Sequence, residues 1–119
     1  MRYFRSPHHQ AATFALLIAV IMLLPGGAVP EVEGIDWADK AIHVGLFLVL
    51  TVLLIRSIQT VDRIRWPVIV AGALALVYST LLELLQGLIP GRLLDPGDLL
   101  ANGVGVLIAV LLRSTAKQG

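Results

Sequence analysis

Residues 11–29, 41–55, 68–89 and 99–112 are apolar runs, and Glu83 is the only Asp, Glu, Lys or Arg within any of them. At roughly 20 apolar residues per bilayer crossing, a 119-residue chain has room for about four membrane helices and no separate soluble domain. Composition agrees: 57% of the residues are hydrophobic, mean hydropathy is +0.87 and only 14% are charged, where a soluble domain carries about a quarter. The pattern predicts an all-α integral membrane protein, a four-helix bundle forming one domain over residues 1–119. With no cysteine there is no disulfide, thiolate ligand or thiol nucleophile. The basic residues are spread singly around a net charge of +1, so no nucleic-acid surface is expected.

Flanking charges set the expected spans at roughly 11–29, 39–56, 66–89 and 96–113. In the first, Pro25, Gly26 and Gly27 end or kink the helix near its far end. The basic start, the core from Ala11 to Leu24 and the small residues Gly26 and Ala28 also satisfy the pattern of a cleaved signal peptide, the competing reading of this segment. The 30–40 link is acidic and carries Trp37, suited to an interfacial anchor; the 56–67 link is basic. With four crossings, Arg2, Arg5, Arg56, Arg63, Arg65, Arg113 and Lys117 fall on one side and only Lys40 and Arg92 on the other. The positive-inside rule then predicts both termini in the cytoplasm and the 30–40 and 90–98 links outside, in the cytoplasmic (inner) membrane as a multi-pass protein.

Polar residues inside such runs mark function by default, because an ionisable group at membrane depth costs a few kcal/mol or more. Glu83 lies 18 residues past Arg65, ~27 Å higher at 1.5 Å per residue, near the outer surface of a ~30 Å core. His43 stands about one turn into the second helix and Asn102 about one turn into the fourth, so three helices deliver polar groups to one level. Helical spacing aligns Asp39, Lys40, His43 and Phe47 on one face, Ser79, Glu83 and Gln86 on another, and Asp98, Asn102 and Gly105 on a third. Below them Gly72, Ala75 and Ser79, and Gly105 and Ala109, allow close backbone approach. At the entry to the fourth helix Asp95 can be the N-cap, with Pro96 at the first helical position and Asp98 at N3, facing the positive helix end.

Three linked motifs, Asp39-Lys40-x-x-His43, Glu83-x-x-Gln86 and Pro90-Gly91-Arg92-x-x-Asp95-x-x-Asp98-x-x-x-Asn102-x-x-Gly105, resemble the VanZ-like family of small bacterial membrane proteins. The match runs over residues 39 to 105. The resemblance implies a four-helix membrane protein, and the family's namesake is associated with low-level resistance to teicoplanin; it implies no particular reaction.

Three functions compete for this cluster. In one, His43, Glu83, Arg92 and Asp98 are catalytic at the outer leaflet, acting on an isoprenoid phosphate or phospholipid head group. Arg92 would grip the phosphate in a bidentate fork, and His43 would move a proton. Ser79, about a turn deeper than Glu83, is a weak nucleophile candidate. In the second, the same groups with Asp39, Lys40, Gln86, Asp95 and Asn102 bind a membrane lipid, a lipid-linked cell-wall precursor or a glycopeptide antibiotic without turning it over. In the third they only tie helices together, Glu83 pairing with Arg92 or His43. His43, Glu83, Asp95 and Asp98 are acceptable metal ligands, but no HxxxH or HExxH spacing is present, so no metal or other cofactor is expected. Transport would require homo-oligomers, since four short helices contain no repeat pair.

Overall fold

A computed structural model of the chain describes residues 6–23, 36–89 and 96–117, with the side chains of 36–39 and 115–117 left aside. Within them are four helices and no strand: α1 (Pro7–Met22), α2 (Asp36–Gln59), α3 (Pro67–Gln86) and α4 (Pro96–Lys117). Lys40–Gln59, Pro67–Gln86 and Pro96–Ser114 are each long and apolar enough to cross a membrane. The 16 residues of α1 make a shorter apolar helix.

Local chemistry explains the bounds. Pro7 and Pro67 stand in the first turns of α1 and α3, where a missing N–H removes no helical hydrogen bond. Helix α1 therefore begins four residues before the expected position 11 and takes in His8, His9 and Gln10. It closes at Leu23, whose N–H donates to Ala19 O (2.9 Å), ahead of Pro25. The stretch from 24 to 35, and with it the expected continuation to 29, lies outside the described residues. Helix α2 runs past Arg56 to Gln59 and ends where Thr60 Oγ1 donates to Ser57 O at 2.7 Å. In the middle of α2, Thr51 satisfies its hydroxyl by donating to Phe47 O at 2.6 Å, as lipid requires.

Helix α2 is central and packs on the other three; α1 lies against α2 and the edge of α3. Phe47, Leu50, Ala75, Leu82, Val106, Ile18 and Met22 form one buried cluster, and Ile55, Ile58, Val68 and Ala71 a second toward the basic end. Leu74, Leu81, Leu100, Leu107 and Leu111 point outward, as lipid-facing side chains do. Since lipid is as apolar as leucine, contact between helices comes from close packing rather than water expulsion. The tightest approach is α2 on α4. A Cβ added at Gly105 would collide with the Val44 carbonyl and stand 3.0 Å from Leu48 N. Ala101 and Ala109, one turn to either side, are also buried.

Candidate functional site

That close approach fixes what happens one turn away. Asn102 is fully buried on α4, three residues before Gly105, and His43 lies on the facing side of α2. His43 Nδ1 and Asn102 Oδ1 are 2.8 Å apart, and Asn102 Nδ2 donates to Glu83 Oε1 on α3 at 3.2 Å. With its NH2 on Glu83, the Asn102 amide turns its oxygen to His43, and an oxygen that only accepts makes Nδ1–H the donor. In the neutral ring Nε2 then carries the lone pair, and it faces Asp98 Oδ2 at 3.8 Å. Asp98 sits in the first turn of α4, where the helix dipole favours a carboxylate, and its Oδ1 receives Lys40 Nζ from α2 at 2.6 Å.

The cluster is graded in depth: the Glu83 side chain is 1% exposed, Asp98 13% and Lys40 34%. Solvent therefore reaches it from the Lys40 side. All three helices bring these residues in at one end, the N-termini of α2 and α4 and the last turn of α3. Arg56, Arg63 and Arg65 lie at the other end, around the link between α2 and α3, and Arg113 reaches that end through Gln59 Oε1 at 3.4 Å.

Of the residues expected to form a site, Lys40, His43, Glu83, Asp98 and Asn102 come together. Gln86 shares their face of α3, but its Nε2 donates to Met22 O at 2.7 Å, satisfying a carbonyl that the end of α1 leaves open. Asp39 lies in α2, its side chain outside the described set; Arg92 and Asp95 lie outside the described residues altogether. The direct Glu83–His43 distance is 3.9 Å, and Asn102 is the bridge between them. Ser79 is fully buried and donates to Leu76 O at 3.1 Å, away from the role of a nucleophile.

A second polar group at the basic end was not legible in sequence. His8 Nδ1 bonds Ser57 Oγ and its Nε2 bonds Thr60 Oγ1, joining the start of α1 to the end of α2. Tyr78 on α3 donates to Ala15 O of α1. Residues 1–10 read as a polar tail, and nothing in their spacing announces these partners.

With its described residues forming helices, three of them of membrane length, and a buried His–Asn–Glu chain at one end, the chain has the features of a membrane protein built around a polar cluster. A family model described as VanZ/LLP1 matches residues 3–117, nearly the whole chain, and the protein belongs to that family. No curated protein and no solved structure matches it.

Proposed function

We propose that the protein is a multi-pass component of the cytoplasmic membrane whose polar cluster opens to the outer surface and binds the head group of a membrane lipid or lipid-linked cell-wall precursor. The observation that carries this reading is the graded cluster itself, buried at Glu83 and open at Lys40. Helices can be tied by amides alone, as Gln86 ties α3 to α1; a lysine–aspartate pair toward the solvent-facing rim and an oriented imidazole buried beneath it add the groups that recognise a phosphate or an amine. Arg92, on the link beside this end, supplies a further cation in the sequence. In this role the protein acts in envelope physiology, with altered teicoplanin susceptibility as the phenotype to examine.

The test is binding of an isoprenoid pyrophosphate, phosphatidylglycerol and phosphatidylethanolamine to the purified protein in nanodiscs. Saturable binding of one of them, weakened at least about tenfold by Lys40→Ala, a loss of about 1.4 kcal/mol, is expected. Absence of saturable binding, or binding indifferent to Lys40→Ala and His43→Ala, overturns the reading.

One observation favours catalysis as a second reading: the Glu83–Asn102–His43 chain holds an imidazole with Nε2 as the proton acceptor. With Ser79 engaged elsewhere, that nitrogen would act on water. Release of inorganic phosphate from a lipid phosphate, abolished by His43→Ala, separates turnover from binding in the same assay.

A further inference from the structure

We propose that His43, Glu83 and Asp98 form a site for one divalent transition-metal cation of the Mn2+ or Zn2+ kind. One ligand comes from each of α2, α3 and α4, and an imidazole nitrogen and two carboxylate oxygens lie within 4.8 Å of one another. His43 Nε2 and Asp98 Oδ2, at 3.8 Å, are too far apart for a hydrogen bond. They suit a shared ion well: with bonds of about 2.1 Å, two ligand atoms on one metal stand about 3.0–4.2 Å apart as the angle between them opens from 90° to 180°. A closure of about 0.6 Å brings even the widest allowed pair inside that span.

The second line of support is the shell around the three ligands. Metal-bound histidines nearly always donate their other ring N–H to an oxygen, and metal-bound carboxylates are themselves hydrogen-bonded. Here His43 Nδ1–H donates to Asn102 Oδ1, Asn102 Nδ2 donates to Glu83 Oε1, and Lys40 Nζ donates to Asp98 Oδ1, with Oδ2 of that aspartate toward the imidazole. Each ligand is thus oriented by a partner on a neighbouring helix. One imidazole with two carboxylates is a donor set for Zn2+ or Mn2+ rather than Ca2+, and three protein ligands leave coordination positions open. A bound divalent cation would attract an anionic head group, a consequence that rests on the function proposed above, whereas the metal site itself does not.

The probes are MnCl2 and ZnCl2 alone, titrated calorimetrically into detergent-purified protein stripped with EDTA. One equivalent is expected to bind, with affinity falling at least about a hundredfold in Glu83→Gln and in Asp98→Asn, which keep side-chain shape. Thermal unfolding provides the second measurement: the metal should raise the midpoint of the wild type and of a lipid-facing control, Leu107→Ala, but not that of Asp98→Asn, whose side chain is nearest the rim. No saturable binding up to about 1 mM of either ion, or equal binding by both carboxylate variants and the wild type, overturns the proposal. Head-group binding without metal binding overturns the metal site while leaving the function intact; metal binding without head-group binding does the reverse.

Discussion

Asn102 does the most with the fewest atoms. Fully buried, it accepts from His43 and donates to Glu83, so it holds the ring orientation and the deepest carboxylate together. Asn102→Leu keeps the volume and removes both bonds. Interhelical hydrogen bonds in membranes average well under the value for buried polar groups in water-soluble cores, and two of them together are worth about 1–2 kcal/mol. The variant should unfold at correspondingly lower denaturant in a mixed-micelle titration and bind Mn2+ about 10- to 100-fold more weakly. A variant as stable and as metal-competent as the wild type would remove Asn102 from both roles. At this scale the sequence was legible where helical spacing and depth act together: His43, Glu83, Asp98 and Asn102 could be placed at one level from the runs alone. Pairings were not, because a side chain's partner depends on helix rotation and distance. Gln86 shares the spacing of Glu83 yet reaches α1, and Lys40 reaches Asp98 directly. Metal-type convergence was hidden for the same reason, since its three ligands come from three helices and have no motif between them.

Helix packing turns on where small residues stand. The expectation that Gly105 and Ala109 let backbones approach is realised at α4 on α2, and it leads to a graded series. Gly105→Ala drives a methyl into the Val44 carbonyl, which cannot move without displacing α2. The two helices must part, at a cost of about 1–3 kcal/mol, and the 2.8 Å His43–Asn102 bond one turn away is strained with them. At Gly72 the added atom meets Val110 Cγ2 at 2.9 Å and Val106 Cγ1 at 3.8 Å, and side-chain methyls can shift aside where a backbone carbonyl cannot. At Gly45 nothing lies within 4 Å, so alanine is neutral or gains a few tenths of a kcal/mol up to about 1 from helix propensity. Unfolding titrations should therefore rank the alanine variants Gly105 far below Gly72, and Gly72 below Gly45; equal stability for Gly105→Ala and Gly45→Ala would refute the close approach. Helix existence and order were readable from the apolar runs, while ends were readable only where proline fixed them. Pro96 was recognised as an opening residue, but Pro7 was assigned to a tail because the polar residues after it masked the first turn of α1.

For the whole molecule the governing quantity is the separation of charge between its two ends. Seven of the nine Lys and Arg residues would fall on one side if the chain crosses four times, and among the described residues Arg56, Arg63, Arg65 and Arg113 do lie opposite the His43 cluster. Positive charge in short links is retained in the cytoplasm, so the cluster should open outward. Because the chain has no cysteine, one introduced thiol at a time reports topology without background. Leu88 follows α3 at the cluster end and Val61 lies in the basic link, both exposed. In intact cells a membrane-impermeant maleimide should label Leu88→Cys, and Val61→Cys only after permeabilisation. The reverse pattern would turn the cluster toward the cytoplasm. A head group in the outer leaflet could then not reach Lys40, and the proposed ligand would fail; the cation site, which depends only on three helices meeting, would keep its geometry and acquire a cytoplasmic metal supply.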